Sequence, residues 1–364
     1  MVRNGDRSGL RVLDHAWHQA HSYRLHELPA RFDYFPVGTR YWDEEIRPAP
    51  DNFGGFIAEP VVKDYDLILS HLDNWCDRAE LRATPFRIMN LLGLQAPEVP
   101  RVCIMHGTPD NEENRGAINR LLDRSPGGAP FMVCNSHAAF EQWGRGPELS
   151  RAIIHGYNVD EFVGSNERQA WAITVCSAGD ISAVYHGVPL LERIKTQVPV
   201  VWVGHNGDLP YFQGYEKYLD FLAHSLIYVH TGQRSPMPGA RTEAMLSGCC
   251  IVTTSNQDAG DFITHGETGF LCDTAEEMTH TIRSLLDNPR RAYTVGKAGR
   301  ELAREIFDRG RYVDDWLTLI ADLQGSNVKS YARTLPRGIQ HGRPDGVDAG
   351  SGNRRPDHDA GSVA

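Results

Sequence analysis

Short apolar, β-branched runs alternate with amphipathic segments along most of the chain. In the first half, strand patterns lie at residues 10–14, 64–71, 99–107 and 129–136. Helical patterns separate them, one between residue 15 and Pro29 and others at 85–94, 111–123 and 137–143. Residues 31–59 hold prolines, glycines and aromatic residues, and predict a strand followed by a long irregular loop.

The same alternation continues in the second half of the chain. Strand patterns occupy residues 172–177, 199–203, 226–230, 249–254 and 270–272. Helical patterns occupy residues 183–195, 215–224, 242–247, 259–265, 275–286, 290–306 and 312–323. Strands that alternate with helices in this way predict parallel sheets covered by helices on both faces.

A chain of 364 residues is long enough for two domains of ordinary size. Residues 153–162 are predicted to form a strand and a hinge, so the domains are expected at 1–164 and 165–323. From residue 324 to 364 glycine, arginine, proline, aspartate and serine dominate, which predicts a disordered tail.

The composition of the chain argues against several classes of protein. A net charge of −10 argues against nonspecific nucleic-acid binding. The seven cysteines lie scattered, several within apolar runs, which indicates reduced, buried thiols and a cytoplasmic protein. The sequence shows neither a secretory leader nor an apolar run of membrane-spanning length. It contains no CxxC or HExxH motif, so no zinc site is expected.

The most informative stretch runs from Ser235 to Asp273. A helix, a buried strand, a second short helix and a very short strand are predicted in that order. Glu243 lies in the first turn of the first helix, and Gly248 follows it as a helix stop. In α/β folds ligands bind beyond the carboxyl ends of parallel strands, near helix N-termini.

These residues resemble a known family. Glu243-Ala244-Met245, Gly248, the β-branched strand, Gly260 and the 266–271 segment GETGFL are similar to the nucleotide-sugar site of retaining glycosyltransferase family 4. The resemblance implies the GT-B fold, an α/β architecture in which two Rossmann-like, doubly wound domains face a central cleft. It also implies a nucleotide-sugar donor, no cofactor and no metal, and a last helix that crosses back onto the first domain.

The resemblance assigns roles to residues on both sides of the cleft. Glu243 would bind the ribose of the donor, and His106, at the end of its strand, would lie against the transferred sugar. The other donor-side candidates are Gly204, Ser235, Met237, Gly239, Arg241 and Thr242.

Two departures from the family pattern bear on the donor site. Ser235 stands where the family usually has a further glutamate, eight positions before Glu243. Asp180 and His186 stand at the expected places of the arginine and lysine that hold the diphosphate. Arg193, Lys195, Arg234 or Arg241 could substitute for these cations, and the sequence does not choose among them.

The first strand-to-helix loop is rich in histidine where the family is often rich in glycine. His15, His18 and His21 recur every third residue, which fits either a polar helix start or side chains facing the diphosphate or acceptor. A metal site is not expected, since no carboxylate or cysteine partner is evident nearby. His18, His21 and Trp42 are acceptor-side candidates, with Tyr41 and Phe53 as further stacking surfaces.

Three hypotheses follow. The leading one is an enzyme that transfers a sugar from a nucleotide sugar to a hydroxyl acceptor with retention of configuration. The second is a non-enzymatic GT-B relative that acts as a binding subunit, which the missing cations and Ser235 motivate. The third is transfer to a modified base in DNA, which the arginines of the tail permit but the acidic net charge opposes: Arg333, Arg337, Arg343, Arg354 and Arg355.

Overall fold

A computed structural model describes residues 9–15, 17–37, 42–77, 83–176, 185–234, 237–255 and 258–325. All of them belong to one compact unit. The predicted disordered tail lies outside the described residues apart from its first two positions, as do its arginines. Tyr41, Asp180 and Ser235 also lie outside them.

The described strands form two parallel sheets. The first has the order β3-β2-β1-β4-β5-β6-β7, with β1 Leu10–Asp14, β2 Ala30–Tyr34, β3 Phe53–Phe56, β4 Leu67–Leu72, β5 Arg101–Met105, β6 Phe131–Cys134 and β7 Ser150–Ala152. The second has the order β12-β11-β10-β8-β9, with β8 Gln169–Val175, β9 Val200–Val203, β10 Ser225–His230, β11 Cys250–Thr253 and β12 Phe270–Leu271.

Helices cover both sheets, as the alternating pattern predicts. In chain order they are α1 Gln19–Leu25, α2 Thr84–Gly93, α3 Glu112–Asp123, α4 His137–Trp143, α5 Val188–Lys195, α6 Tyr215–His224, α7 Gly239–Leu246, α8 Ala259–Phe262, α9 Ala275–Asp287, α10 Pro289–Ile306 and α11 Arg309–Leu323. The second half of the chain follows its predicted elements closely. The main differences in the described residues there are α5, which begins at Val188 after a turn at 185–187 that was predicted to be helical, and α8, which ends at Phe262 instead of continuing to residue 265.

Two expectations for the first half are wrong. Residues 53–56, predicted to be irregular, form the edge strand β3 beside β2; its two central glycines give it no strand pattern. Residues 153–162 were expected to begin with a strand, but β7 ends at Ala152 and a 3₁₀ turn covers Val159–Glu161.

Helix α11 packs its apolar side into the core of the first sheet. Tyr312, Trp316, Leu319 and Ile320 join the buried cluster that contains Val12. The last helix therefore crosses back from the second domain to the first, as the resemblance implies. The boundary at residue 164/165 stays a prediction, and it falls between β7 and β8.

The seven cysteines are all free, and six of them are buried. This agrees with the prediction of reduced, buried thiols. None of the described helices is both long enough and apolar enough to cross a membrane.

Candidate active site

Three polar side chains meet at the carboxyl ends of neighbouring strands of the first sheet. Asp14 ends β1, His71 lies near the end of β4, and His106 directly follows β5. The Asp14 carboxylate accepts a hydrogen bond from Nε2 of His71 at 2.9 Å. Nδ1 of His71 lies 2.8 Å from Nε2 of His106. Asp14, His71 and His106 thus form a hydrogen-bonded chain that ends at the half-buried His106.

Helix α1 adds a third imidazole to this place. The ring of His21 stands edge-on to His106, with 4.5 Å between the ring centroids. Within the described part of the chain, the buried Nε2 of His21 has no hydrogen-bond partner. Burial lowers the pKa of both His21 and His106 well below the usual value, and the neighbouring imidazoles lower it further. Both rings are therefore neutral at physiological pH.

The other candidates of the first domain have different surroundings. His18 precedes α1 and is exposed, whereas His15 accepts a hydrogen bond from the backbone of His71 through its Nε2 at 3.3 Å. The expectation that no carboxylate lies near these histidines is wrong. Asp14 is that carboxylate, and the sequence signal for it was its place at a strand end.

Trp42 packs among aromatic rings instead of lying open as a stacking surface. Its ring centroid lies 5.3 Å from that of Phe53 and 5.5 Å from that of His26. Its Nε1 donates to the backbone oxygen of Arg47 at 2.9 Å. Trp42 therefore supports the segment that carries Arg47, and its predicted acceptor contact stays a prediction.

Glu243 of α7 is 3% exposed, and both of its carboxylate oxygens are engaged. Tyr218 donates to Oε2 at 2.6 Å, while Arg47 and Arg24 lie 2.9 Å and 3.4 Å from Oε1. Burial alone would raise the pKa of Glu243, but the two guanidinium groups outweigh it and hold the pKa below its usual value. The carboxylate predicted to bind ribose is thus held by side chains of both domains.

Sequence reasoning missed Arg24 and Arg47 as partners of Glu243. Arg24 lies on α1 with its guanidinium 4.8 Å from the Tyr157 ring, and Arg47 lies 4.2 Å from the ring of Tyr215. Stacking on these aromatic faces fixes both cations in the interior. Nothing in the local sequence around either arginine indicates a partner in the second domain.

Helix α1 connects the two predicted centres of the site. His21 and Arg24 are three residues apart, so their side chains are neighbours on the helix surface. His21 contacts His106, and Arg24 contacts Glu243. The two residues that the sequence singled out most strongly, His106 and Glu243, therefore both contact side chains of this one short helix.

The loop before α7 is held by Asp258, which the sequence analysis did not single out. The backbone N–H of Met237 and Nη2 of Arg241 both donate to Oδ2 of Asp258, at 2.9 Å and 2.8 Å. Met237 has a left-handed φ of 49°, which costs free energy in a residue with a side chain. Arg241 is thus held in a buried ion pair. Thr242 lies buried in the same helix, its hydroxyl 3.4 Å from the carbonyl oxygen of Pro238.

Gly239 and Gly204 each occupy a place where a side chain would clash. A Cβ at Gly239 would lie 2.0 Å from Nη2 of Arg24, so the glycine lets this guanidinium approach the start of α7. Gly204 follows β9 with a φ of +145°, and a Cβ there would lie 2.0 Å from the carbonyl oxygen of Cys176. Their donor-binding roles stay predictions.

We expect Asp258→Asn to destabilise the protein by about 3–5 kcal/mol, because it removes one partner of the buried Arg241–Asp258 ion pair. Urea denaturation followed by circular dichroism measures the change. Asp261→Asn, an exposed substitution in α8 three residues after Asp258, is the matched control. Equal stabilities of the two variants would show that the Arg241–Asp258 pair does not hold this loop.

The other candidate cations for the diphosphate are paired as well. Lys195 binds Asp208 at 2.5 Å, and Arg193 binds Glu276 at 3.0 Å. Arg234 binds Asp110 of the first domain at 2.6 Å. Each of these pairs has a partly exposed member, so solvent weakens it.

His186, at the place of an expected cation, is half-buried, and burial lowers its pKa. Its imidazole is therefore neutral at physiological pH, and it supplies no charge for a diphosphate. Its backbone carbonyl accepts a hydrogen bond from Thr231 at 3.0 Å. The second expected position, Asp180, lies outside the described residues.

Comparison with known proteins shows which family and which solved structures this chain is similar to. Residues 174–302, which include α7 and Glu243, match the model of the family "Glycosyl transferases group 1". HepE of Anabaena, in complex with UDP and glucose, is 16% identical with a TM-score of 0.62, over 86% of this chain and 100% of that one. Sucrose-phosphate synthase of Thermosynechococcus elongatus is 15% identical with a TM-score of 0.64, over 88% and 100%. No curated protein matches the sequence significantly.

The two parallel-sheet domains have the GT-B fold, and residues 174–302 of the second domain are similar to the group 1 glycosyltransferases. The likeness to the solved structures shows the fold, and the family match falls on the second domain, which carries Glu243. The predicted resemblance to the group 1 enzymes is confirmed.

Proposed function

We propose that the protein transfers a sugar from a nucleotide sugar to a hydroxyl acceptor, with retention of the anomeric configuration. The observation that carries the proposal is the position of Glu243. It lies on α7 within the group 1 region, and α1 contacts both Glu243, through Arg24, and His106, through His21. In this site Glu243 accepts hydrogen bonds from the ribose hydroxyls, and His106 lies against the transferred sugar.

The donor we propose to test first carries UDP, since the HepE structures hold UDP or UDP-glucose. A carboxylate is a strong acceptor for the two hydroxyls of a ribose. To bind them, Glu243 exchanges the bonds from Arg47 and Arg24 for bonds from the donor. The released guanidinium groups then lie close enough to neutralise the diphosphate.

Retention by displacement on one face requires no protein nucleophile. The acceptor oxygen forms a bond to the anomeric carbon on the side from which the diphosphate leaves. The bond from that carbon to the phosphate oxygen breaks, and the acceptor proton passes to the departing phosphate. The role of the protein is to orient the two substrates and to stabilise the leaving group.

A thermal-shift panel with UDP, GDP, ADP, TDP and CMP tests the donor. We expect UDP to raise the melting temperature, because a ligand at a hundred times its Kd stabilises a protein by about 2.7 kcal/mol. The shift should be absent in Glu243→Gln, which keeps the shape of the side chain but not its charge. A shift that is equal in wild type and variant would contradict the proposed ribose site.

The two arginines that bind Glu243 also support a second candidate function. In this alternative the protein is a non-enzymatic GT-B relative, and Arg24 and Arg47 occupy the carboxylate that would otherwise bind ribose. Release of UDP from UDP-glucose, lost in Glu243→Gln, excludes that candidate. A protein that neither binds any of the five nucleotides nor turns over a donor supports it.

A further inference from the structure

Three imidazoles of the first domain hold ring nitrogens close to one another. One ligand atom from each of His21, His71 and His106 lies within 4.8 Å of the other two. Metal–nitrogen bonds of about 2.0–2.1 Å at tetrahedral angles separate two ligand nitrogens by about 3.3 Å. The nitrogens of His71 and His106 lie 2.8 Å apart, which is shorter than this separation. The upper limit of 4.8 Å for the three nitrogen–nitrogen distances is longer than it. Small side-chain rotations are therefore enough to bring all three nitrogens to bonding distance.

The hydrogen bonds around the cluster match those of a metal site. His71 offers Nδ1 to the cluster while its Nε2 donates to Asp14, so a carboxylate orients the ring and raises its basicity. His21 is 4% exposed, and among the described residues its Nε2 has no partner. Among the described residues, hydrogen bonds engage both ring nitrogens of His71 and Nε2 of His106 but leave Nε2 of His21 unsatisfied. A bound cation satisfies all three.

We propose that His21, His71 and His106 form a binding site for a divalent transition-metal ion of the zinc class, with Asp14 as the carboxylate behind His71. Neutral imidazole nitrogens suit Zn²⁺, Co²⁺ and Ni²⁺, whereas Mg²⁺ and Ca²⁺ prefer oxygen ligands. The site goes beyond the proposed sugar transfer, none of whose steps uses a metal ion.

The surroundings of the three histidines allow a cation to enter, and the nearest arginine is neutralised by a carboxylate. His106 is half-buried whereas His21 and His71 are buried, so an ion reaches the cluster from the side of His106. The ring of Trp17 is nearly parallel to those of His71 and His106, with centroids 6.4 Å and 6.0 Å away. Arg24, whose charge acts on His21, is paired with Glu243.

The test is titration of the full chain, freed of metal by a chelator, with Co²⁺. We expect one ion per chain with the visible absorption bands of tetrahedral cobalt, and displacement of those bands by Zn²⁺. His21→Gln and His71→Gln should each abolish the bands, and Asp14→Asn should weaken binding about 10–100-fold. His137→Gln, an exposed histidine on α4, is the matched control and should bind as wild type does.

Absence of tetrahedral bands in folded wild type at saturating Co²⁺ would overturn the proposal. So would bands of equal strength in the double variant His21→Gln/His71→Gln, since the ion would then be bound elsewhere among the sixteen histidines. Circular dichroism verifies the fold of each variant. His21→Gln removes a nitrogen without a partner, so it decides the question even if His71→Gln does not fold. Binding is measured without activity, so failure of the proposed function leaves this result intact.

Discussion

Replacing Glu243 with alanine should lower the free energy of unfolding by about 3–5 kcal/mol, the usual effect of removing one partner from a buried ion pair. Arg24 and Arg47 are 6% and 7% exposed, and Glu243 is their shared counter-charge. Without it two guanidinium groups remain in the interior without compensation. Tyr218 also loses the acceptor of its 2.6 Å hydrogen bond.

The effect should depend on pH with a defined sign. The pKa of Glu243 is lower in the folded protein than in the unfolded chain. Its stabilising contribution is therefore fully present above the unfolded pKa and is lost as the pH falls through the folded one. Urea denaturation of wild type and Glu243→Gln should accordingly show a large difference at pH 7 that shrinks in acid.

Two further variants make this prediction specific. Glu216→Ala, an exposed substitution on α6, controls for the loss of a glutamate and should be nearly neutral. The triple variant Arg24→Met/Arg47→Met/Glu243→Leu removes all three charges together and should recover much of the lost stability. If Glu243→Ala is no less stable than Glu216→Ala, the two arginines do not depend on this carboxylate.

His106→Asn should reduce kcat for sugar transfer by about 10²–10³-fold, the usual effect of losing one preorganised hydrogen-bonding group. The imidazole of His106 is held in place by His71, which is held by Asp14. Under the proposed function it therefore meets the transferred sugar without having to reorganise. Release of UDP from the donor, measured in the presence of a chelator, reports kcat and KM without any contribution from a bound metal.

Asp14 positions His106 through His71, so an Asp14 variant provides a second test of this prediction. Asp14→Asn keeps His106 but weakens the hold on His71, so we expect a smaller loss that falls on kcat more than on KM. His137→Asn serves as the control for a histidine outside the cluster. If His106→Asn and His137→Asn have the same kcat in a folded protein, His106 does not act on the reacting sugar.

The sequence predicted most of the fold because the signals of the elements are local. The apolar run at β11 contains only small and β-branched residues, which indicates a buried parallel strand. α9 begins with a capping box formed by Thr274 and Glu277, which lie three residues apart. β3 was missed because a strand with two central glycines at a sheet edge carries no local pattern.

Part of the site was also readable from the sequence. Glu243 and the residues that follow it as far as 271 carry the spacing of the family motif, and His106 stands at the end of an unmistakable strand. The roles of their neighbours were not readable. Asp258, Arg24 and Arg47 carry no motif, and they enter the site only because the fold brings them to Met237, Arg241 and Glu243.

By itself, then, the sequence determined the alternation of strands and helices, the two-domain α/β class and the place of Glu243, because periodicity and motif spacing act over a few residues. Only the tertiary structure decided which charges neutralise that carboxylate and which side chains meet His106. Arg24 and Glu243 are 219 positions apart, and Asp14 and His71 are 57 apart. Contacts over such distances arise from the order of strands in a sheet and the packing of helices on it, and no local pattern encodes them.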